Sequence, residues 1–125
     1  MNARPSVLIV DDNEANVVLL EYLLTLVGYE VRCSADAELA LESIAQSKPE
    51  LVLTDIQLPG ASGLELTRRL KSDAATADIR VIAISAFAMA ADEQQAMAAG
   101  CDGFLAKPIN TRTFPSLLAA FMTSS

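Results

Sequence analysis

The sequence predicts an α/β fold: a doubly wound, five-stranded parallel sheet with helices on both faces. Three observations carry that prediction. Short apolar runs alternate with longer amphipathic stretches five times over. No linker, repeat or low-complexity segment interrupts them, which is the pattern of right-handed strand–helix–strand crossovers. Four of the five apolar runs also lead into polar groups at their carboxyl ends: Asp11 and Asp12, Asp55, Ser85, and Lys107. Ligands of open parallel sheets bind outside those ends.

The elements follow in order. SVLIV (6–10) is a strand. Asp12 or Asn13 can cap a helix running to about Val27, and Gly28 suits the left-handed position that follows it. YEVRCS (29–34) alternates weakly and fits a strand near an edge. From Asp36 to Gln46, Leu39, Ala40 and Ile44 recur at helical spacing. Pro49 precedes the strand ELVLT (50–54), a loop with Pro59 and Gly60 follows, and GLELTRRLKS (63–72) is helical. RVIAIS (80–85) is a strand, DEQQAMAA (92–99) a helix ended by Gly100, and GFLA (103–106) a short strand. The last helix runs toward Met122. Pro115 fits it only in the first turn, because deeper in a helix proline removes a hydrogen bond and clashes.

Composition excludes several functions. At 125 residues the chain reads as one domain, 1–125, with no output domain. A net charge of −7 and a pI near 4.4 argue against a nucleic-acid surface, which needs clustered Lys and Arg, and against a membrane surface. No apolar run reaches the roughly 18–20 residues of a membrane span. The start, MNARPSVLIV, lacks a signal-peptide cleavage site, so a cytoplasmic protein is expected. Cys33 and Cys101 form no CxxC pair and are expected as reduced thiols near the core. There is no histidine, which rules out Ser-His or Cys-His catalysis, a histidine-ligated zinc site, and a phosphohistidine in this chain. A metal here must be held by oxygen, which favours magnesium, calcium or manganese.

Asp-Asp after a strand is commonly only a helix cap, and Asp55, Ser85 and Lys107 each have an ordinary structural explanation alone. Together they describe a site. If the first and third strands are neighbours, about 4.8 Å apart, Asp11, Asp12 and Asp55 crowd together. At about 5 Å and an effective dielectric near 20, each like pair costs roughly 3 kcal/mol. Three such pairs approach the whole stability of a domain, about 5–15 kcal/mol. A hard divalent cation relieves that repulsion. Magnesium takes one or two carboxylates, keeps several waters, and leaves a place for a phosphate oxygen.

The stretches VLIVDDNEANV, LVLTDIQLPGASGLEL, VIAISAFAM and GCDGFLAKPI make the whole chain resemble the response-regulator receiver domain, the CheY-like superfamily. They match its acidic pair, acceptor aspartate, hydroxyl residue and Lys-Pro, with Pro59 and Gly63 four and eight residues beyond Asp55. Within the family, DIQLP, SGLE, SAFAM, GC and KPI are most similar to single-domain, DivK-type cell-division regulators; receivers attached to hybrid kinases look similar. The resemblance implies the flavodoxin-like strand order 2-1-3-4-5. It also implies a phosphorylation-dependent switch of a two-component system or phosphorelay. Asp55 would accept a phosphoryl group from a histidine kinase or histidine phosphotransfer protein, an established use of carboxylate nucleophiles. Mg2+, with Mn2+ or Ca2+ as substitutes, would be held by Asp12, Asp55, the backbone carbonyl of Gln57, and Asp11 directly or through water. Lys107 would pair with a phosphoryl oxygen and Ser85 would donate to another, with a cis Lys107-Pro108 bond aiming the lysine inward.

Phe104 occupies the family's aromatic switch position, and lacks the hydroxyl of the commoner Tyr. Phosphate would draw Ser85 inward, Phe104 would turn into the vacated space, and the face seen by a downstream protein target would change. Gln57 and Phe87 hold two positions that influence phosphate lifetime, and bulky Phe87 is expected to hinder attacking water. The first helix is more apolar than one core-facing stripe needs. With Leu20, Leu23 and Leu24 facing the sheet, Ala15, Val18 and Tyr22 are left outside, as a docking stripe for the four-helix bundle of a kinase. Two other classes remain. One is a receiver fold that signals by binding only, which the intact acidic set argues against. The other is a magnesium-dependent phosphatase of outside substrates, which usually carries a second acid where Gln57 stands. The chain would catalyse chemistry on itself without being an enzyme in the usual sense.

Overall fold

The computed structural model describes residues 5–58, 60, 62–86, 90–107 and 109–123, with the side chains of 121–123 excepted. Five strands and five helices alternate: β1 (Ser6–Val10), α1 (Glu14–Leu26), β2 (Glu30–Ser34), α2 (Ala37–Gln46), β3 (Leu51–Asp55), α3 (Gly63–Ser72), β4 (Arg80–Ser85), α4 (Ala90–Ala99), β5 (Gly103–Ala106) and α5 (Phe114–Thr123). The strands form one parallel sheet in the order β2-β1-β3-β4-β5.

The alternation of side chains along each strand divides the core in two. Leu8, Val10, Val52, Val81 and Ala83 face α2, α3 and α4, meeting Ala40, Ile44, Leu66, Leu70 and Ala96. Val7, Ile9, Leu51, Leu53, Ile82 and Ile84 face α1 and α5, meeting Leu20, Leu23, Leu24, Phe114 and Leu118. The central strands are apolar on both faces because helices cover both. β2 is an edge strand, which explains its weak alternation and half-buried residues.

Most element ends are where the sequence places them, for the reasons it suggests. Asn13 caps α1, Asp36 caps α2 and Ser62 caps α3, each accepting from the backbone N–H three residues on. Gly28 and Gly100 follow their helices at φ +94° and +107°. Pro115 is the second residue of α5, inside the first turn as its chemistry requires. β2 begins at Glu30, one residue later than the sequence suggests, and two further elements shift. α4 begins at Ala90, earlier than its polar residues suggest, and β3 runs from Leu51 through Asp55 itself.

Distant parts of the chain are tied by polar side chains. α2 has no basic residue in its last turn, but Arg32 on β2 supplies one. Its guanidinium donates to the Ser43 carbonyl (3.1 Å), Ser43 Oγ (2.8 Å) and the Ser47 carbonyl (2.5 Å), satisfying that helix end. Lys71 Nζ donates to the carbonyls of Ala77 (3.2 Å) and Ile79 (2.6 Å) and to Asp102 Oδ2 (3.1 Å), which also accepts from Val81 N–H (2.8 Å). The cysteines divide: Cys101 is buried, with Sγ 3.6 Å from Thr67 Oγ1, whereas Cys33 is exposed on the edge strand. The expectation that both lie near the core is therefore corrected for Cys33.

Candidate functional site

Register brings the acidic residues together. Val10 stands opposite Thr54, so Asp11 and Asp55, each one residue further along, leave adjacent strands at the same level. The Asp11 N–H donates to the Ser34 carbonyl (3.0 Å), and the Ile56 N–H to the Ile84 carbonyl (3.0 Å). Both carboxylates therefore hang on backbone that is still bonded to its neighbour strand. Asp11, Asp12 and Asp55 each present a carboxylate oxygen within 4.8 Å of the others. Asp11 is 4 % exposed, Asp55 is 9 % exposed, and Asp12 stands out into solvent.

Lys107 completes the group from across the sheet. Ala106 is opposite Ser85, and Lys107 N–H donates to the Ser85 carbonyl (2.9 Å). Its Nζ lies 2.7 Å from Asp55 Oδ2 and 3.5 Å from Asp11 Oδ2. Burial alone would depress the lysine pKa; the hydrogen bond and charge of Asp55, with Asp11 behind it, more than reverse this and hold it above the ordinary lysine value. Lys107 is therefore a charged ammonium throughout the neutral range. One ammonium among three carboxylates leaves the cluster short of positive charge. An all-oxygen donor set, partly buried and open on the Asp12 side, fits a hard divalent cation.

Backbone turns orient the nucleophile candidate. Asp55 Oδ1 accepts from the Gln57 N–H (3.0 Å), while Oδ2 takes Lys107. Behind it the loop folds tightly: Gly63 N–H donates to the Ile56 carbonyl (2.9 Å), and Thr67 Oγ1 donates to the Gly63 carbonyl (2.9 Å). A Cβ on Gly63 would run into the Asp55 carbonyl oxygen and lie 2.9 Å from Thr54 Oγ1. Only glycine lets α3 begin this close to the strand end.

Of the other residues singled out in the sequence, Ser85 is 3 % exposed at the end of β4, next to β5. Phe104 is half-buried against the α2/α3/α4 side of the core. Gln57 is exposed on the loop after β3. On α1, Leu20, Leu23 and Leu24 are buried, while Ala15, Val18 (62 % exposed) and Tyr22 (61 %) face outward. Pro59, Phe87 and Pro108 lie outside the described residues, and with them the loop proline, the lifetime position and the cis bond. The sequence reading missed two site contacts. Asp11 Oδ1 accepts from the Asn13 N–H (2.9 Å), and Asn16 Nδ2 donates to Asp11 Oδ2 (3.4 Å). Asn16 is one of four polar residues on this largely apolar helix, with Glu14, Glu21 and Thr25, and its place one turn from Asp12 was the available signal.

Known proteins share this arrangement widely. The sequence pattern of the response regulator receiver domain matches residues 7–119. The polar-differentiation response regulator DivK of Brucella anthropi is 40% identical over 117 residues, 94% of this chain and 95% of that protein. The CheY-like response regulator receiver domain protein of Methanospirillum hungatei JF-1 superposes with a TM-score of 0.88 at 28% identity, covering 96% of this chain and 94% of that one. The receiver domain of a sensor histidine kinase from Pseudomonas aeruginosa PAO1 gives 0.88 at 29% identity, covering 98% and 100%; its crystal structure has a magnesium ion coordinated in the active site cleft. Strand order, acidic cluster and sequence pattern agree, and the chain belongs to the response regulator receiver domain family.

Proposed function

We propose that this chain is a phosphorylation-driven switch whose acceptor is Asp55, charged by a histidine kinase or a histidine phosphotransfer protein. The observation that carries the reading is the meeting of Asp11, Asp12 and Asp55 within 4.8 Å, with the Lys107 ammonium 2.7 Å from Asp55. Asp12, Asp55 and the Gln57 carbonyl, with Asp11 directly or through water, would hold Mg2+. When bound, the ion neutralises charge on the cluster and on the phosphoryl oxygens.

Asp55 Oδ attacks phosphorus, the bond from phosphorus to the donor atom breaks, and the leaving group takes that electron pair, with solvent supplying a proton where a nitrogen donor needs one. The product is a mixed anhydride on Asp55. Lys107 exchanges its carboxylate partner for a phosphoryl oxygen and remains charged throughout. Ser85, buried one step beyond Ile84, which stands opposite Asp55, donates to a second oxygen. Its movement is read by Phe104 on the neighbouring strand and passed to a downstream protein target.

Intact-mass spectrometry after incubation with acetyl phosphate tests this reading. A gain of about 80 Da, the mass of one phosphoryl group, is expected with Mg2+ and not without it. A folded, Mg2+-binding protein that forms neither this adduct nor a beryllofluoride complex would refute it.

The donor's docking face is proposed on the outer side of α1, where Ala15, Val18 and Tyr22 form an exposed apolar stripe on the helix that follows Asp11 and Asp12. Val18→Asp should slow transfer from a kinase or phosphotransfer protein about tenfold, the effect of losing roughly 1.4 kcal/mol of docking energy. Labelling by acetyl phosphate should be unchanged. Equal loss with both donors would refute the docking role.

A further inference from the structure

We propose that Asn16 is a positioning residue for Asp11, holding that carboxylate in place for the divalent cation independently of Lys107. The inference rests on the phosphoacceptor reading. Asp11 is nearly buried, and each of its oxygens must find a donor. Oδ1 takes the Asn13 N–H at 2.9 Å. Oδ2 has two neighbours at similar range, Asn16 Nδ2 at 3.4 Å and Lys107 Nζ at 3.5 Å.

The two are not equivalent. Lys107 makes its short bond, 2.7 Å, to Asp55, and turns to a phosphoryl oxygen when Asp55 is modified. Asn16 is then the side chain left on Asp11 Oδ2. Its backbone is already fixed, because its own N–H donates to the capping oxygen Asn13 Oδ1 at 3.1 Å. From the first turn of α1 the side chain reaches back five residues to the end of β1. A neutral amide also suits the task electrostatically. It orients the carboxylate without adding a cation that would compete with the metal for the same charge.

Helix propensity does not account for the residue. Ala is more favourable than Asn in a helix, which offsets the lost hydrogen bond to Asp11, so Asn16→Ala should change the metal-free melting temperature little. Mg2+ affinity, measured by isothermal titration calorimetry, should nevertheless fall about tenfold, as is usual when the partner of a metal-binding group is removed. In an Asp11→Asn background the same substitution should cost nothing further, because the group it positions has gone.

Wild-type affinity in Asn16→Ala would overturn the proposal, and so would an undiminished loss in the Asp11→Asn background. Wild-type protein that fails to bind Mg2+ at all would overturn both this role and the phosphoacceptor reading. A normal wild type beside an unaffected Asn16→Ala would overturn only the role of Asn16.

Discussion

Asp55→Asn takes up no phosphoryl group from acetyl phosphate, with or without Mg2+, although it stays folded. The substitution keeps the shape of the side chain and removes the nucleophilic carboxylate, which no other group replaces. Asp11 has its oxygens committed to Asn13, Asn16 and Lys107, and Asp12 is exposed to solvent, without the strand-end seat and lysine contact that fix Asp55. The amide has one acceptor oxygen where Asp55 has two. Either the Gln57 N–H or Lys107 therefore loses its bond to residue 55, since each now holds a different oxygen of Asp55. Against that loss, repulsion with Asp11 and Asp12 is relieved, so the metal-free melting temperature should move little. The rise in melting temperature that Mg2+ confers on the wild type should shrink with the affinity. Intact mass and a thermal melt on the same sample check all three outcomes. A phosphoryl adduct on the variant would place the acceptor elsewhere.

Gly63→Ala has the largest expected effect on the fold itself. The added methyl meets backbone, the Asp55 carbonyl oxygen, and a side chain buried at the base of the loop, Thr54 Oγ1. Neither can swing aside. Thr54 is fully buried in β3, and its hydroxyl donates to that same carbonyl at 3.1 Å. The start of α3 must move away from the sheet, taking with it the Gly63–Ile56 hydrogen bond. Overpacking of this kind costs about 1–3 kcal/mol, equivalent to a fall of roughly 4–12 °C in Tm for a domain this size. Because Asp55 leaves the same piece of backbone, the variant should also label more slowly at a temperature where it is fully folded. Chemical denaturation followed by circular dichroism gives the first quantity, and the rate of adduct formation the second. Wild-type stability would show that the loop yields more easily than its hydrogen bonds imply.

Much of this was legible in the chain because the signals are local. SVLIV, LVLT and RVIAIS are runs too short and too apolar for anything but buried strands, and the residues that end them are the site. Asn13, Asp36 and Ser62 act as caps through contacts three residues long, within reach of pattern reading. What the pattern missed is long-range or compositional. The grip of Lys71 on Asp102 spans 31 residues, and that of Arg32 on Ser43 and Ser47 joins a strand to a helix end. No spacing rule announces either. The start of α4 at Ala90 was hidden by alanines, which carry no amphipathic signal. Cys33 was misplaced because cysteine is usually buried, whereas on an edge strand one side chain in two has little to cover it. Asn16 looked like one more polar residue on a helix, because its partner lies just past the preceding strand rather than one turn away.

The site's groups are anchored at unequal depth. Asp11 and Asp55 stand at the ends of β1 and β3, each flanked by strands on both sides. Lys107 follows directly on β5, a four-residue strand at the sheet's margin whose Phe104 and Leu105 are only half-buried and whose Ala106 is exposed. Fraying begins at margins, with free energies well below that of unfolding the whole domain. The carboxylates can therefore lose their ammonium partner in a brief opening that leaves them in register. An opening confined to this margin is an electrostatic event: the cluster becomes more negative, and more attractive to a cation, without the sheet coming apart.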